Sequence, residues 1–108
     1  MFNDITTADV FAVYEQLKDK YPLEMTTAFA LDDGFEEDCP VLAGKAHGQA
    51  IQLYEHGNMF VLDVMDEART QGTHWHPCDV KGAVGDIAEF MEGKSDYEFY
   101  PFNMEEKQ

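Results

Sequence analysis

The sequence predicts an α+β fold in two layers: an N-terminal helix, an antiparallel meander of four to five strands, and a C-terminal helix packed on the sheet. Three observations lead to this prediction. Apolar residues recur at helical spacing near both ends, they alternate with a period of two between residues 23 and 77, and Gly and Pro residues divide that middle region. With 108 residues, 44% of them hydrophobic, the chain is expected to form one domain over residues 1–108.

The first helix is predicted from about Thr7 to Lys20. Thr6 can cap its N-terminus, and Asp9 follows three residues later, as in a capping box. Apolar residues then recur at every third or fourth position as far as Leu17. Pro22 is expected to end the helix, because proline cannot continue the hydrogen-bond ladder.

The middle region is predicted to begin with two or three strands. Apolar residues alternate with small or polar ones from Met25 to Leu31, which indicates a half-buried strand. The stretch from Val41 to His56 is expected to form one or two strands, with Gly44 and Gly48 as bulge or turn positions.

A two-residue hairpin is predicted at His56-Gly57-Asn58-Met59, because Gly and Asn tolerate the positive φ that such a turn requires. The next strand, Met59 to Met65, is apolar except for Asp63, so it is expected to be central, with both faces at least partly covered. Asp63 is also the acid most expected to have a perturbed pKa, unless it points to solvent. The last strand is predicted at Thr73 to His76.

The second helix is predicted to begin after Asp79, which can cap it, and to end before Gly93 in a left-handed cap position. Gly82 and Gly85 weaken the helix, which is understandable if it lies close against the sheet. The aromatic segment 97–102 is expected to pack on the body of the protein, and residues 103–108 are expected to be a disordered tail.

The charge excludes several classes of function. There are 22 acidic residues and 7 basic ones, which gives a net charge of −15, distributed over both halves of the chain. Such a surface repels phosphate backbones and anionic lipids, so neither a nucleic acid nor a membrane is the expected partner. The first residues lack the basic and apolar regions of a secretory signal, so we expect a cytoplasmic protein of a bacterial type.

The densest group of reactive side chains is Thr73-His74-Trp75-His76-Pro77-Cys78-Asp79. In a strand, His74 and His76 point to the same side, where two imidazoles can chelate Zn²⁺, Ni²⁺ or Cu²⁺, with Cys78 or Asp79 as a third ligand. Alternatively, Trp75 enters the core and both histidines lie on a polar surface without a metal. His47 and His56 would add ligands only if the fold brought them to the same place.

We do not expect an enzyme, because no catalytic motif is present. Cys39 follows three acidic residues that disfavour its thiolate, whereas Cys78, with His76 close in sequence, is the best nucleophile candidate. No residue that would orient this pair can be identified from the sequence. Gly82-x-x-Gly85 lacks the setting of a phosphate-binding loop, and Ser95 is the only serine. Apart from the zinc alternative, no cofactor is expected.

The expected binding surface is a charged loop with one apolar anchor, and it contains Asp32, Asp33, Phe35, Glu36, Glu37 and Asp38. An acidic surface can be only a solubilising coat, or it can steer a basic partner into contact. In size, charge and element order, though in no motif, the chain is similar to small bacterial immunity proteins and secretion chaperones, which neutralise or carry basic partners.

Three hypotheses of function follow. The leading one is a non-enzymatic protein-binding module (an adaptor, inhibitor or immunity-type protein) that engages a basic partner. The second is a transition-metal-binding protein or metalloenzyme that uses His74, His76 and Cys78. The third is a homodimer in which a second copy covers a sheet face containing Met59, Val61 and Met65.

Overall fold

The computed structural model describes residues 4–27, 40–68, 70–94 and 98–101. They form an N-terminal helix, a six-stranded antiparallel sheet and a C-terminal helix, which confirms the α+β class. The prediction of four to five strands was too low. In chain order the elements are α1 (Thr7–Leu17), β1 (Glu24–Thr27), β2 (Pro40–Ala46), β3 (Gln49–His56), β4 (Met59–Asp66), β5 (Gln71–Trp75), α2 (Val80–Met91) and β6 (Tyr100–Pro101).

Both helices begin at the caps that the sequence predicts. The Thr6 backbone N–H donates to the Asp9 carboxylate at 2.8 Å, which completes the reciprocal capping box of α1. The Asp79 carboxylate accepts from the Gly82 N–H at 2.8 Å at the start of α2. The first helix ends at Leu17, three residues earlier than predicted, because residues 18–20 form a turn.

The sheet is a simple meander in the order β1-β2-β3-β4-β5-β6, with β3 and β4 in the centre as predicted for β4. Two-residue turns join β2 to β3 and β3 to β4. Their central residues all have positive φ: 58° and 75° at His47 and Gly48, and 63° and 66° at Gly57 and Asn58. This is the geometry of a turn whose twist matches that of the flanking strands, and it fixes the pairing register on both sides.

One face of the sheet carries the core, and both helices pack against it. Residues directly opposite each other on paired strands share a face, so Leu42, Leu53, Leu62 and Trp75 form one row under the helices. The Trp75 indole N–H donates to the Asp86 carboxylate at 2.8 Å, which ties β5 to α2. The buried core residues that pack together are Ile5, Val10, Val13, Leu17, Leu23, Leu42, Ile51, Leu53, Phe60, Leu62, Val64, Ala83, Ile87 and Phe90.

The close approach of a helix to the sheet does not explain Gly82 and Gly85, contrary to the prediction. A Cβ at Gly85 would meet no atom within 4 Å, and a Cβ at Gly82 would meet only the Asp79 carboxylate of the helix cap. The tight position is Gly44 in β2, where a Cβ would lie 2.5 Å from Cδ2 of Leu23. Gly44 therefore serves as a packing residue that makes room for Leu23 in the core.

Several expectations concern residues outside the described ranges, among them the first strand beyond Thr27, Cys39 and the tail 103–108. The described part of the aromatic segment includes Tyr100 and Pro101, which pair with Gly72 and Gln71 as the sixth strand. Within the ranges that the structure describes, no helix is both long enough and apolar enough to span a membrane.

Candidate functional site

The sheet face turned away from the helices carries a row of side chains across five strands. Glu24, Ala43, Gln52, Asp63 and His74 are consecutive cross-strand partners on β1 to β5, so their side chains share this face. We call this set the polar row. The period-two pattern of each strand separates it from the apolar rows on the helix side.

Asp63 lies at the centre of the polar row and is held by two neighbours on β3. The Gln52 amide donates to its Oδ2 at 3.1 Å, and the Tyr54 side chain also hydrogen-bonds it. Burial raises the pKa of the Asp63 carboxyl above its usual value, and these hydrogen bonds, with the nearby His74 and His76, oppose the shift only in part. The predicted perturbation of Asp63 is therefore confirmed. The residue faces away from the helices, but it is not freely solvated.

The two histidines of the HxH pattern lie together, as the strand period predicts. The ring centroids of His74 and His76 are 5.7 Å apart, with the rings nearly perpendicular. Nδ1 of His76 lies 2.9 Å from the Phe60 carbonyl oxygen. Because a carbonyl only accepts hydrogen bonds, this nitrogen carries the proton, and Nε2 is left as the acceptor of the neutral ring.

The structure does not assemble the predicted three-ligand metal site. In the described ranges, no group of three or more His, Cys, Asp or Glu side chains is arranged to hold a metal ion. His47 lies elsewhere: its Nε2 is 3.1 Å from the Met91 carbonyl, and its ring packs edge-on against Phe90. His56 is exposed at the end of β3. The pair His74 and His76 is thus the part of the metal hypothesis that the geometry retains.

Cys78 belongs to a small cavity beside His76. This hairpin cavity has a volume of about 330 Å³ and lies where the N-terminal segment, the β3–β4 turn and the β5–α2 connection meet. The Ile5 N–H donates to the Asn58 carbonyl at 3.0 Å, which holds the first two of these segments together. The described lining residues are Asp4, Ile5, Gly57, Asn58, Met59, His76, Pro77 and Cys78.

Cys78 and His76 line the same cavity, and the Phe60 carbonyl supplies the orienting partner for His76 that the sequence alone does not reveal. Among the described residues, however, no hydrogen bond joins the free, exposed Cys78 thiol to His76. That bond is the contact through which a base activates a nucleophile, and the described residues do not form it here.

The three residues named for the homodimer face differ in their exposure. Val61 and Met65 are only 9% and 6% exposed in the single chain, whereas Met59 is 46% exposed on the wall of the hairpin cavity. An exposed apolar surface therefore remains at Met59, and the homodimer stays a prediction.

The acidic contact loop, with Asp32, Asp33, Phe35, Glu36, Glu37 and Asp38, lies outside the described residues. On the described surface, the ion pairs are Lys18–Glu15 at 2.9 Å and Lys94–Glu92 at 2.8 Å. Both join neighbours in sequence on the surface. With 22 acidic residues and 7 basic ones, most carboxylates of the chain cannot have a basic residue of their own, so the negative field is not neutralised.

The sequence analysis missed Gln52, although its side chain donates a hydrogen bond to Asp63 and opposes the rise of the Asp63 pKa. It is 7% exposed, the one buried polar side chain in the described ranges. The alternation of Ile51, Gln52, Leu53 and Tyr54 marks Gln52 and Tyr54 as residues of one face. The predicted turn at Gly57-Asn58 pairs His56 with Met59 and therefore Gln52 with Asp63, so this turn is the signal that could have found Gln52.

Asp63→Asn should become more stable relative to the wild type as the pH rises. Since the pKa of Asp63 is raised in the folded protein, the unfolded chain releases this proton first. As the pH rises from the ordinary pKa of aspartate to the raised pKa of folded Asp63, the free energy of unfolding of the wild type therefore decreases. At pH values above the raised pKa the decrease is complete. Urea unfolding of both proteins across this interval measures the difference.

The matched control for that comparison is Asp19→Asn, which removes one negative charge from an exposed turn. It measures the general relief of repulsion in a chain of net charge −15. If both variants gain the same stability over the interval, the special burial of Asp63 is refuted.

Comparison with models of known protein families, with curated proteins and with solved structures finds no match for this chain. No relative therefore indicates a function. The chemistry of the residues described above has to support any proposal.

Proposed function

We propose that this protein is a non-enzymatic, cytoplasmic binding module (an adaptor, inhibitor or immunity-type protein) that engages a basic protein partner. The observation that carries the proposal is the uncompensated negative surface. The net charge is −15, because 22 acidic residues are present with only 7 basic ones. A field of this sign raises the association rate of a basic protein and disfavours acidic competitors.

Exposed apolar side chains provide the anchors that an interface needs beyond charge. Phe11, Met59 and Tyr100 are 44%, 46% and 58% exposed, and Met59 lines a cavity together with Asp4. Such a combination of an apolar anchor in a pocket and a charged rim is typical of protein interfaces. The loop from Asp32 to Asp38, with Phe35, is the second proposed contact, on the evidence of its sequence alone.

The proposal predicts binding that weakens steeply with salt. A basic protein captured from host lysate by the immobilised chain would be purified, and its Kd would be measured by calorimetry from about 0.05 to about 0.5 M NaCl. Exposed charges are screened within about 8 Å at physiological ionic strength, so affinity should fall several-fold or more over this range. A Kd that does not change with salt, or the absence of any basic partner, would contradict the proposal.

Matched charge reversals locate the contact. Glu36→Lys in the acidic loop should slow association more than Asp19→Lys, which makes the same charge change at the end of α1. Equal effects of the two variants would show that only net charge matters and that the loop is not the contact.

A second candidate function, transition-metal binding, is favoured by the pair His74 and His76. Their rings lie 5.7 Å apart, and the contact with the Phe60 carbonyl leaves Nε2 of His76 available to coordinate. A ligating histidine commonly donates its other N–H to a carbonyl in this way. Zn²⁺ is the proposed ion, and Cys78 is the proposed further ligand after a local adjustment.

Zinc binding is tested on protein purified without an affinity tag, by its metal content and by titration with Zn²⁺. Replacing both His74 and His76 by Ala should abolish binding, whereas His56→Ala, an exposed control, should leave it unchanged. Protein that contains no metal and gives no heat with Zn²⁺ would eliminate this candidate. Cys78→Ala measures the contribution of the thiol.

A further inference from the structure

A second and larger hollow lies at the other end of the polar row. It has a volume of about 600 Å³ and runs between the start of β1 and strands β2, β3 and β4. We call it the β2 groove. Pockets of this size that combine apolar walls with a few polar groups are typical binding sites for small molecules.

The register explains why a hollow forms here. Ala43 lies between Glu24 and Gln52 in one cross-strand row, and Ala50 lies between Lys45 and Met65 in the next row. All of these side chains share the face turned away from the helices. The two alanine side chains are short and their neighbours are long, so the alanines form the floor and the neighbours form the walls.

Gln52 contributes a buried polar group to this groove. It is 7% exposed and lines the hollow, while its Nε2 donates to Asp63 at 3.1 Å. Because the carboxylate accepts, the amide orientation is fixed, and Oε1 is left as a hydrogen-bond acceptor. Among the described residues this oxygen has no partner, and a buried acceptor without one is costly. A ligand with an N–H group would remove that cost.

Two opposite charges stand at the rim. Glu24 and Lys45 are exposed and line the groove, and neither forms an ion pair with another described residue. They are diagonal neighbours across β1 and β2, at a spacing that two long side chains can bridge. Because the structure does not pair these two side chains with each other, both head groups are available to a small molecule that carries one positive and one negative group.

The net charge of the chain narrows the class of ligand. A free anion that approached Lys45 alone would be repelled by the net charge of −15. A zwitterion has no net charge to repel, and it satisfies both rim residues at once. An apolar body on the same molecule would cover the alanine floor and contact Met65, a buried lining residue on the same face.

We propose that the β2 groove binds a free α-amino acid with a large apolar side chain. Lys45 holds the carboxylate, Glu24 and Oε1 of Gln52 accept from the ammonium group, and the side chain covers Ala43 and Ala50. This site is separate from the hairpin cavity and from the acidic loop, so it does not depend on the proposed protein partner.

The test is a titration of the isotope-labelled full chain with L-phenylalanine, followed through its backbone amide NMR signals. The expected result is a saturable shift of Ala43, Ala50 and Gln52, while amides of α1 do not move. Glycine, which lacks the apolar side chain, should bind at least severalfold more weakly. The absence of saturable shifts at millimolar ligand, or shifts confined to other residues, would overturn the proposal.

Rim variants and blocked ligands test the two charge contacts. Lys45→Met and Glu24→Gln should each weaken binding by about three- to tenfold, whereas Lys81→Met, an exposed control on α2, should not. N-acetyl-L-phenylalanine, which lacks the ammonium group, and L-phenylalaninamide, which lacks the carboxylate, should each bind more weakly than the free amino acid. If the rim variants bind as well as the wild type, or if both blocked compounds bind as well as L-phenylalanine, the zwitterion assignment is wrong.

Discussion

The register of the three central strands is held by two tight turns whose central residues all have positive φ. In both turns one of the two residues is glycine, and the others are His47 and Asn58, residue types that adopt this conformation more readily than most. A shift of one residue in β3 or β4 would move every side chain to the opposite face. The apolar core under the helices and the polar row on the other face are therefore two results of the same constraint.

The polar row lowers the folding stability of the protein, and the rest of the fold has to offset this loss. Its centre, Asp63, is partly removed from water, and the Gln52 amide that supports it is itself buried with an oxygen left unpaired among the described residues. Apolar side chains at the same positions of the sheet would make the protein more stable than these partly buried polar groups do. Strained or costly polar groups that persist in a small domain commonly mark places where a ligand or partner completes the interactions. The row reaches the histidine pair at one end and the β2 groove at the other.

Sequence patterns predicted the local elements well, because their signals are local. The cap at Thr6 and Asp9, the Gly57-Asn58 turn and the cap at Asp79 each depend on residues within four positions. The strand formed by Tyr100 and Pro101 was not predicted, since it is two residues long and exists through pairing with Gln71 and Gly72.

The candidate site was predictable only in part. The period of two was sufficient to place His74 and His76 together, and the apolar strand was sufficient to single out Asp63. That Gln52 lies beside Asp63 follows from the register of the predicted Gly57-Asn58 turn. That Glu24 and Lys45 face one groove depends on the register of β1 with β2, which are farther apart in the sequence.

The most direct test of this account is an NMR titration of the Asp63 side-chain carboxyl carbon in the folded protein. We expect a midpoint above the usual aspartate pKa, because burial between the strands outweighs the hydrogen bonds from Gln52 and Tyr54 and the nearby histidines. In Gln52→Leu, which removes the donating amide, the midpoint should rise further. A wild-type midpoint at or below the usual value would contradict the claim that the centre of the polar row is held out of water.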